Sequence, residues 1–537
     1  MALRATGLRF ALIAGLLLWL SCPPVGLWPL AWVGLAPLIV SLSRAVRLRQ
    51  AIWYGYAFGC IYLGPVWHWV GLTIVGWTHS FIGWFAWIGL TLILASFYAM
   101  WSGATWWLCR RAAGGWWLVA AASAWVVMEW ARTLGSLAMP WAQLSCSQYR
   151  FAPILQIADT TGAYGISFVL VLFNAAVAHW WLNREQGGRS RWLWTVGTLV
   201  VMLSLYGVAR LQVTDSGSPL TVAAMQANFN SFHTPPIEAQ FQTFRRLTQA
   251  AHVSTPPPSL YVWGESTAPY PVLGDRVTFD FMTNLARATQ AGILVGSAIE
   301  PRVQRSAYRG EADVRADAEQ TSRANATFLF TPGGGEPAHY DKQQLVPFGE
   351  FTPFGSMVRP LFGQAFGLPD NDVQPGANSK ILKFDSPREG PVALGPFICY
   401  EAVFPDYARR MTQSGATLLV TQSNESWFQS QAAMEQHQAA VVLRAVENRR
   451  QIVRATTTGI TCLLDAEGRV TQSAPPNKET FVYGTVQRLQ GKTVYTRLGD
   501  WFVLVCGGLM VAASQCRRGV RPQVDVPTRE GELHGED

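Results

Sequence analysis

Charged side chains are scarce in this chain. Of its 537 residues only 14% are Asp, Glu, Lys or Arg, against 50% in the AVILMFWYC set, and the mean hydropathy is +0.15. Soluble globular chains carry about 25% charged residues, so the composition excludes an ordinary soluble protein and points to a membrane one. A cysteine framework is missing too. Six of the eight cysteines (Cys22, Cys60, Cys109, Cys146, Cys506 and Cys516) lie within or beside apolar runs, and only Cys399 and Cys462 fall elsewhere. The eight histidines show no ligand spacing, so neither a metal nor another cofactor is expected. The formal net charge of +8 comes without a basic run interleaved with stacking aromatics, which removes nucleic acid as a partner.

What is present is a series of apolar segments, each about long enough to cross a roughly 30 Å hydrocarbon core. Seven precede residue 210, near 8–22, 27–43, 51–75, 80–103, 113–131, 164–182 and 192–209, and an eighth runs over about 498–514. The first follows Arg4 and Arg9 as a signal peptide would, but Pro23 and Pro24 follow it and another apolar run begins at once, so it reads as a retained anchor. The expected organisation is a seven-span bundle over 1–209, an outer domain over 210–496, an eighth helix over 497–515 and a polar, disordered tail over 516–537.

Orientation follows from the basic residues of the short loops, which accumulate on the cytoplasmic side. Arg4 and Arg9, then Arg44, Arg47 and Arg49, then Arg110 and Arg111, then Arg184, Arg189 and Arg191 mark every second connection, and Arg517, Arg518 and Arg521 follow the last segment. Both termini are therefore expected on the cytoplasmic side, with 210–496 on the outer face, which in a diderm bacterium is the periplasm. That stretch alternates short β-rich runs with helical patterns, the mark of an α/β domain. Strands are expected over Leu220–Ala224, Leu260–Trp263, Gly292–Ser297, Ala326–Phe330, Val392–Ile398, Thr417–Thr421, Gln451–Ala455 and Thr461–Asp465, with helices near Glu238–His252, Phe279–Gln290 and Ala432–Arg450.

Three runs place a reactive side chain at or just after the end of an apolar stretch, where open α/β folds collect their site residues. They carry Glu265 (Tyr-Val-Trp-Gly-Glu-Ser), Lys342 (Lys-Gln-Gln-Leu-Val-Pro-Phe-Gly-Glu, ending at Glu350) and Cys399 (Cys-Tyr-Glu, with Tyr400 and Glu401). A carboxylate, an ammonium and a thiol form a workable acyl-transfer set. The thiol is the nucleophile, the carboxylate takes and returns its proton, and the ammonium favours thiolate and stabilises a tetrahedral oxyanion. Taken singly, each has a plainer reading. A thiol at a strand end is more often a buried structural residue, an acid there suits a helix N-terminus, and a lysine is usually a solvated charge.

Taken together, the three runs resemble the carbon-nitrogen hydrolase (nitrilase) superfamily, and with eight expected spans the chain is similar over nearly its full length to the apolipoprotein N-acyltransferase family. The run Thr421 to Phe428, Gln436-His437, Arg444 to Glu447 and Arg454 to Thr456 carry the resemblance further. It implies an αββα sandwich with Glu265 as general base, Lys342 as the stabilising cation and Cys399 as the thioester-forming nucleophile, with Glu350, Tyr400 and Glu401 at supporting positions. It also implies an acyl chain moved from a membrane phospholipid, expected to be phosphatidylethanolamine, to the α-amine of a diacylglyceryl-cysteine at the apolipoprotein N-terminus. The chain departs from the family pattern at Glu425, at Thr458, and in lacking the Trp expected after Asn228.

Two other readings stay open from the residues alone. A membrane-anchored nitrilase-like amidase uses the same triad with water as acceptor. A transporter or scramblase with a sensor domain needs midplane charges or broken helices, and only His68 and Glu129 stand out in the spans. Between Lys342 and Cys399, the stretch from Gly355 to Pro369 offers Met357, Val358, Leu361, Phe362, Phe366 and Leu368 punctuated by glycines. It reads either as a mobile lid contacting lipid, with Met357, Leu361, Phe362 and Phe366 in that role, or as an ordinary packed loop.

Overall fold

The computed structural model describes residues 2–112, 114–186, 191–213, 216–299, 323–366, 368 and 372–516. The tail expected over 516–537 lies outside them from 517 onward, as do Arg189, Arg517, Arg518 and Arg521. The amino-terminal part is helical: α1 (Ala2–Ser21), α2 (Ala36–Arg44), α3 (Leu48–Val66), α4 (His68–Thr78), α5 (Ile82–Arg111), α6 (Trp116–Ala131), α7 (Ala163–Asn183) and α8 (Arg191–Gln212).

The expectation of about eight spans is met only in part. Among the described residues, α5, α7 and α8 are each long and apolar enough to cross a membrane, and α3 with α4 qualifies as a pair bent by 51°. Thr6–Ser21, Trp116–Ala131 and Trp501–Gln515 are shorter apolar helices, each about 22–24 Å at ~1.5 Å per residue. The segment expected near 27–43 is not one helix. A 3₁₀ turn over Trp28–Trp32 precedes the nine-residue α2, because Pro29 and Pro37 each remove a backbone donor and are tolerated only in a first helical turn.

The bend between α3 and α4 falls two residues after Pro65, which interrupts the helical ladder. It directs α4 toward the α/β domain. There Thr73 Oγ1 donates to the Trp427 carbonyl (2.8 Å) and Trp77 packs edge-on against Trp427 at 4.3 Å.

The α/β domain is built on two six-stranded sheets, ordered β12-β1-β2-β3-β4-β5 and β11-β10-β9-β8-β7-β6. The strands are β1 (Ser218–Gln226), β2 (Leu260–Val262), β3 (Gly292–Ile299), β4 (Ala324–Phe330), β5 (Ala338–Asp341), β6 (Leu382–Ser386), β7 (Gly390–Ile398), β8 (Leu418–Ser423), β9 (Ile452–Thr456), β10 (Cys462–Leu464), β11 (Val470–Ser473) and β12 (Thr480–Arg488). In each sheet three consecutive members run parallel, β1-β2-β3 and β7-β8-β9, and the outer ones pair antiparallel. Parallel neighbours need a crossover. Here these are α9 (Ile237–His252), α10 (Arg276–Thr289), α12 (Pro405–Gln413) and α13 (Gln431–Asn448), with α11 (Gly355–Phe366) on a separate excursion.

Side chains of a strand alternate between faces, and both faces of these strands are covered. On the first sheet Leu220, Val222, Ala224, Leu260, Val262 and Leu294 share one core with Leu394, Leu418 and Val420 of the second. Their alternate neighbours Ala223, Met225, Tyr261, Trp263, Ile293 and Val295 pack with Phe244, Leu247, Met282 and Ala286 of α9 and α10. The result is a helix–sheet–sheet–helix sandwich. A last helix, α14 (Trp501–Gln515), returns to pack on α6.

Gly296 in β3 shows how closely the sandwich is fitted around its loops. A Cβ there would lie 2.6 Å from the Gly264 carbonyl and the Ser266 nitrogen and 2.7 Å from Glu265 Cα, all of them backbone atoms. Gly296→Ala is expected to cost about 1–3 kcal/mol from overpacking and to shift Glu265. Thermal unfolding of the detergent-purified chain checks the first effect, and loss of activity at a temperature where the variant is still folded checks the second.

Candidate active site

The parallel strands of both sheets deliver their C-terminal ends to one place. Glu265 follows β2 in a turn held on β3, where the Thr267 amide donates to the Gly296 carbonyl (3.0 Å) and the Thr267 hydroxyl to that of Gly264 (2.9 Å). Cys399 follows β7 directly and opens a 3₁₀ turn, Cys399–Val403, with φ of +49°. Lys342 follows β5, its amide donating to the Asn325 carbonyl at 2.8 Å. Glu350 closes a tight turn in which its own amide donates to the Val346 carbonyl (2.9 Å) and the Val346 amide to Glu350 Oε2 (2.8 Å).

Side chains from these loops converge on Lys342, which is 1% exposed. Lys342 Nζ donates to Glu265 Oε1 at 3.0 Å and to Glu350 Oε1 at 2.9 Å. Asn325 Nδ2 donates to the same two oxygens at 2.7 and 3.0 Å. The second oxygen of Glu265 accepts from the Asn424 amide at 2.7 Å. Glu265 is thus fixed by three donors, from the start of β4, the end of β5 and the end of β8. Ser423 Oγ donates to Cys399 Sγ at 3.4 Å, and Cys399 itself remains partly accessible.

Burial and charge act together on the lysine and the thiol. Burial alone would depress the Lys342 ammonium, but Glu265 and Glu350 more than offset this and hold it well above the ordinary lysine range. Burial drives the Cys399 thiol far up, Glu265 adds to the rise, and Lys342 and the Ser423 hydroxyl only partly oppose it. Lys342 thus acts on the thiol in the expected direction, but it is shared with two carboxylates, and burial together with Glu265 outweighs it.

The supporting positions divide. Glu350 sits on Lys342. Tyr400 points away from the cluster, its hydroxyl donating to the Ala138 carbonyl (2.8 Å) in the loop after α6. Glu401, fully buried, braces the backbone. Its Oε1 accepts from Tyr340 OH (2.8 Å) and the Gln343 (2.6 Å) and Gln344 (3.2 Å) amides, and its Oε2 from the Ile398 amide (2.6 Å). It ties the residues after Lys342 to the residue before Cys399.

The stretch expected as a loop-like lid is the helix α11, beside α4 and α5. Met357 and Leu361 on it are 66% and 67% exposed. The backbone of Phe362 and Phe366 is helical, while their side chains lie outside the described residues.

Several site residues escape a reading of single runs. Asn325 stands in a strand start with no neighbouring cue, and Ser423 lies inside the run that opens at Thr421 without a role of its own there. Asn424, His437 and Arg454 fall in runs that carry the family resemblance without any stated role, yet they crowd behind Cys399. His437 Nε2 lies 3.0 Å from the Cys399 carbonyl oxygen, His437 Nδ1 lies 2.7 Å from Glu425 Oε1, and Arg454 bonds the same Glu425 oxygen. Among the described residues no group of three or more His, Cys, Asp or Glu is arranged to hold a metal.

Comparison with known proteins gives two matching family profiles. Residues 14–176 match the apolipoprotein N-acyltransferase N-terminal domain, and residues 221–494 match carbon-nitrogen hydrolase. The chain is 32% identical over 521 residues to the apolipoprotein N-acyltransferase of Geobacter metallireducens, with 95% of each chain covered. It is 30% identical over 526 residues to that of Pseudomonas putida, covering 94% of this chain and 95% of the relative. It is also 30% identical over 546 residues to that of Azotobacter vinelandii, covering 98% of both.

Glu401 makes the pH dependence of this arrangement testable. Burial pushes its carboxyl up to about 7, against its four donors and Lys342, while an unfolded glutamate titrates near ~4.3. A raised folded-state value means the protonated form favours folding. That contribution is complete below about 4.3 and is lost as pH rises through about 7. The melting temperature of the wild type is expected to fall more between about pH 5 and 8 than that of Glu401→Gln, as read by scanning fluorimetry in detergent.

Proposed function

This chain belongs to the apolipoprotein N-acyltransferase family, and on that premise we propose that it moves an acyl chain from a membrane phospholipid, through a thioester on Cys399, to the α-amine of the diacylglyceryl-cysteine at an apolipoprotein's N-terminus. The observation that carries the reading is the buried Lys342 bonded to both Glu265 and Glu350 at the strand ends that deliver Cys399. Phosphatidylethanolamine is the donor we propose.

Glu265 takes the Cys399 proton as Sγ attacks the ester carbonyl, and the Lys342 ammonium stabilises the oxyanion that forms. Collapse breaks the ester bond, and the departing lysophospholipid oxygen takes the proton back from Glu265. In the second half the acceptor amine attacks the thioester and gives a proton to Glu265. The C–S bond then breaks, and the sulfur recovers that proton as the amide leaves. A neutral resting thiol suits this sequence, since the nucleophile is generated only when base and substrate are both in place. Glu350 and Asn325 orient Lys342 and Glu265, and Glu401 and Tyr400 hold the backbone on either side of the nucleophile.

The proposed topology has both termini in the cytoplasm, seven crossings within 1–209, the periplasmic catalytic domain over 210–496 and an eighth crossing at 497–515, in a bacterial inner membrane. The second crossing is the broken pair of Trp28–Trp32 and α2, and the shorter helices cross with local thinning of the bilayer. Both substrates then keep their chains in lipid while their reactive groups reach the triad. The exposed Met357 and Leu361 on α11, with Phe362 and Phe366 on the same helix, are proposed to contact those chains and keep water from the thioester.

Mass spectrometry of the purified chain after exposure to labelled phosphatidylethanolamine tests the scheme. An acyl adduct confined to Cys399 and discharged by a diacylglyceryl lipopeptide is expected, slowed roughly 10²–10⁴-fold in Glu265→Gln. A variant with Ser at 357, 361, 362 and 366 is expected to lose the adduct to hydrolysis. Rapid release of free fatty acid by the wild type, with no adduct, identifies a hydrolase instead.

A further inference from the structure

The cluster behind the nucleophile is not used by the mechanism above. His437, on α13, is fully buried. Its Nε2 faces the Cys399 carbonyl oxygen at 3.0 Å and its Nδ1 faces Glu425 Oε1 at 2.7 Å. A carbonyl and a carboxylate only accept hydrogen bonds, so each of these contacts needs a proton on the imidazole. The lone pair of an unprotonated Nδ1 set 2.7 Å from a carboxylate oxygen would be repulsive. Arg454 Nη2 lies 3.4 Å from Nδ1, but it is engaged with the same Glu425 oxygen.

From this geometry we propose that His437 is a permanently protonated positioning residue that fixes the backbone of the nucleophile. On one side the Glu425 carboxylate faces it and stands between it and the Arg454 guanidinium as their shared anion, the Trp141 ring stacks on it (5.6 Å, 18° between planes) and Phe428 meets it edge-on at 6.0 Å. An imidazolium over an indole face gains cation–π attraction. Burial would push the Glu425 carboxyl up, but Arg454 and His437 outweigh it and hold it below the usual range. Gly459 leaves the space that the Glu425 carboxylate fills, since a Cβ there would stand 1.6 Å from Glu425 Oε2.

The positioning is needed because Cys399 has a left-handed backbone, φ +49°, which non-glycine residues hold only when their surroundings impose it. Glu401 Oε2 accepts from the Ile398 amide on one side of the turn, and His437 donates to the Cys399 carbonyl on the other. Trp141 belongs to the loop after α6, and its Nε1 donates to Gln436 Oε1 at 2.8 Å. The clamp on the nucleophile is thus continuous with the helical bundle.

The role rests on Cys399 being the nucleophile; the protonation does not, and the test separates them. In the full-length chain with ring-¹⁵N-labelled histidine, one signal, absent from His437→Gln, is expected to keep both nitrogens protonated at about pH 8, where a free imidazole is neutral. His437→Gln is expected to lower kcat for thioester formation tenfold or more with KM for phospholipid unchanged, and to slow alkylation of Cys399 by iodoacetamide. An unprotonated ring nitrogen at that pH, or a folded variant with wild-type kcat, overturns the proposal. If His437→Gln does not fold, single replacement of the other histidines assigns the signal by elimination and the protonation state still decides. A wild type that forms no thioester fails the proposed function, and the ring signal is then read independently of it.

Discussion

An ammonium removed from water between two carboxylates is the constraint around which the catalytic domain is arranged. Lys342 Nζ and Asn325 Nδ2 each donate to Glu265 Oε1 and Glu350 Oε1, so two donors and two acceptors close on one another with almost no solvent. Desolvating such ions costs several kcal/mol apiece and is recovered only with good geometry and satisfied hydrogen bonds. The geometry is supplied from far apart in sequence by the loop after β2, the start of β4, the end of β5 and the turn at Glu350. Burial and the neighbouring Glu265 together push the Cys399 thiol up, with Lys342 opposing them only in part, and the proposed role of Glu265 as base rests on that balance.

The second dependence runs between the two parts of the chain. Tyr400, directly after the nucleophile, donates to the Ala138 carbonyl, and Arg132 at the end of α6 holds the same loop through the Met139 (3.0 Å) and Trp141 (2.7 Å) carbonyls. Gln436 reaches the Pro23 (3.2 Å) and Val66 (3.3 Å) carbonyls. Glu447, buried with Arg444, accepts from the Ala163 amide at the start of α7 (3.0 Å). An enzyme whose substrates are anchored in lipid gains from such direct docking, because the position of Cys399 relative to the helical bundle is then set by packing and not by a flexible linker.

Much of this architecture is legible in the sequence, and the omissions share a cause. All eight expected strands are present, and they are the interior strands of the two sheets, buried on both faces and therefore continuously apolar. The four that escape notice, β5, β6, β11 and β12, are the four edges. Their exposed sides bring in polar residues, as in Val470–Ser473, where every residue is exposed. Glu265, Lys342 and Cys399 are legible because each ends an apolar run. Asn325 and Ser423 are not, since an amide or hydroxyl acquires its role only when distant strands bring it to a carboxylate or thiol. Span lengths are overread for a related reason: hydropathy registers the apolar stretch near 27–43 but not that Pro29 and Pro37 divide it into two short pieces.

If the buried charge cluster governs the site, its members must be interdependent. Removing Lys342 alone leaves two carboxylates facing each other without a counter-ion, and breaking a buried pair in this way costs about 3–5 kcal/mol. Removing all three charges together leaves neutral groups that hydrogen-bond acceptably. The deciding measurement is thermal and denaturant unfolding of Lys342→Met beside the combined Lys342→Met, Glu265→Gln, Glu350→Gln chain. Most of the lost stability is predicted to return in the combined variant, and a single Lys342→Met that unfolds like the wild type would contradict the account.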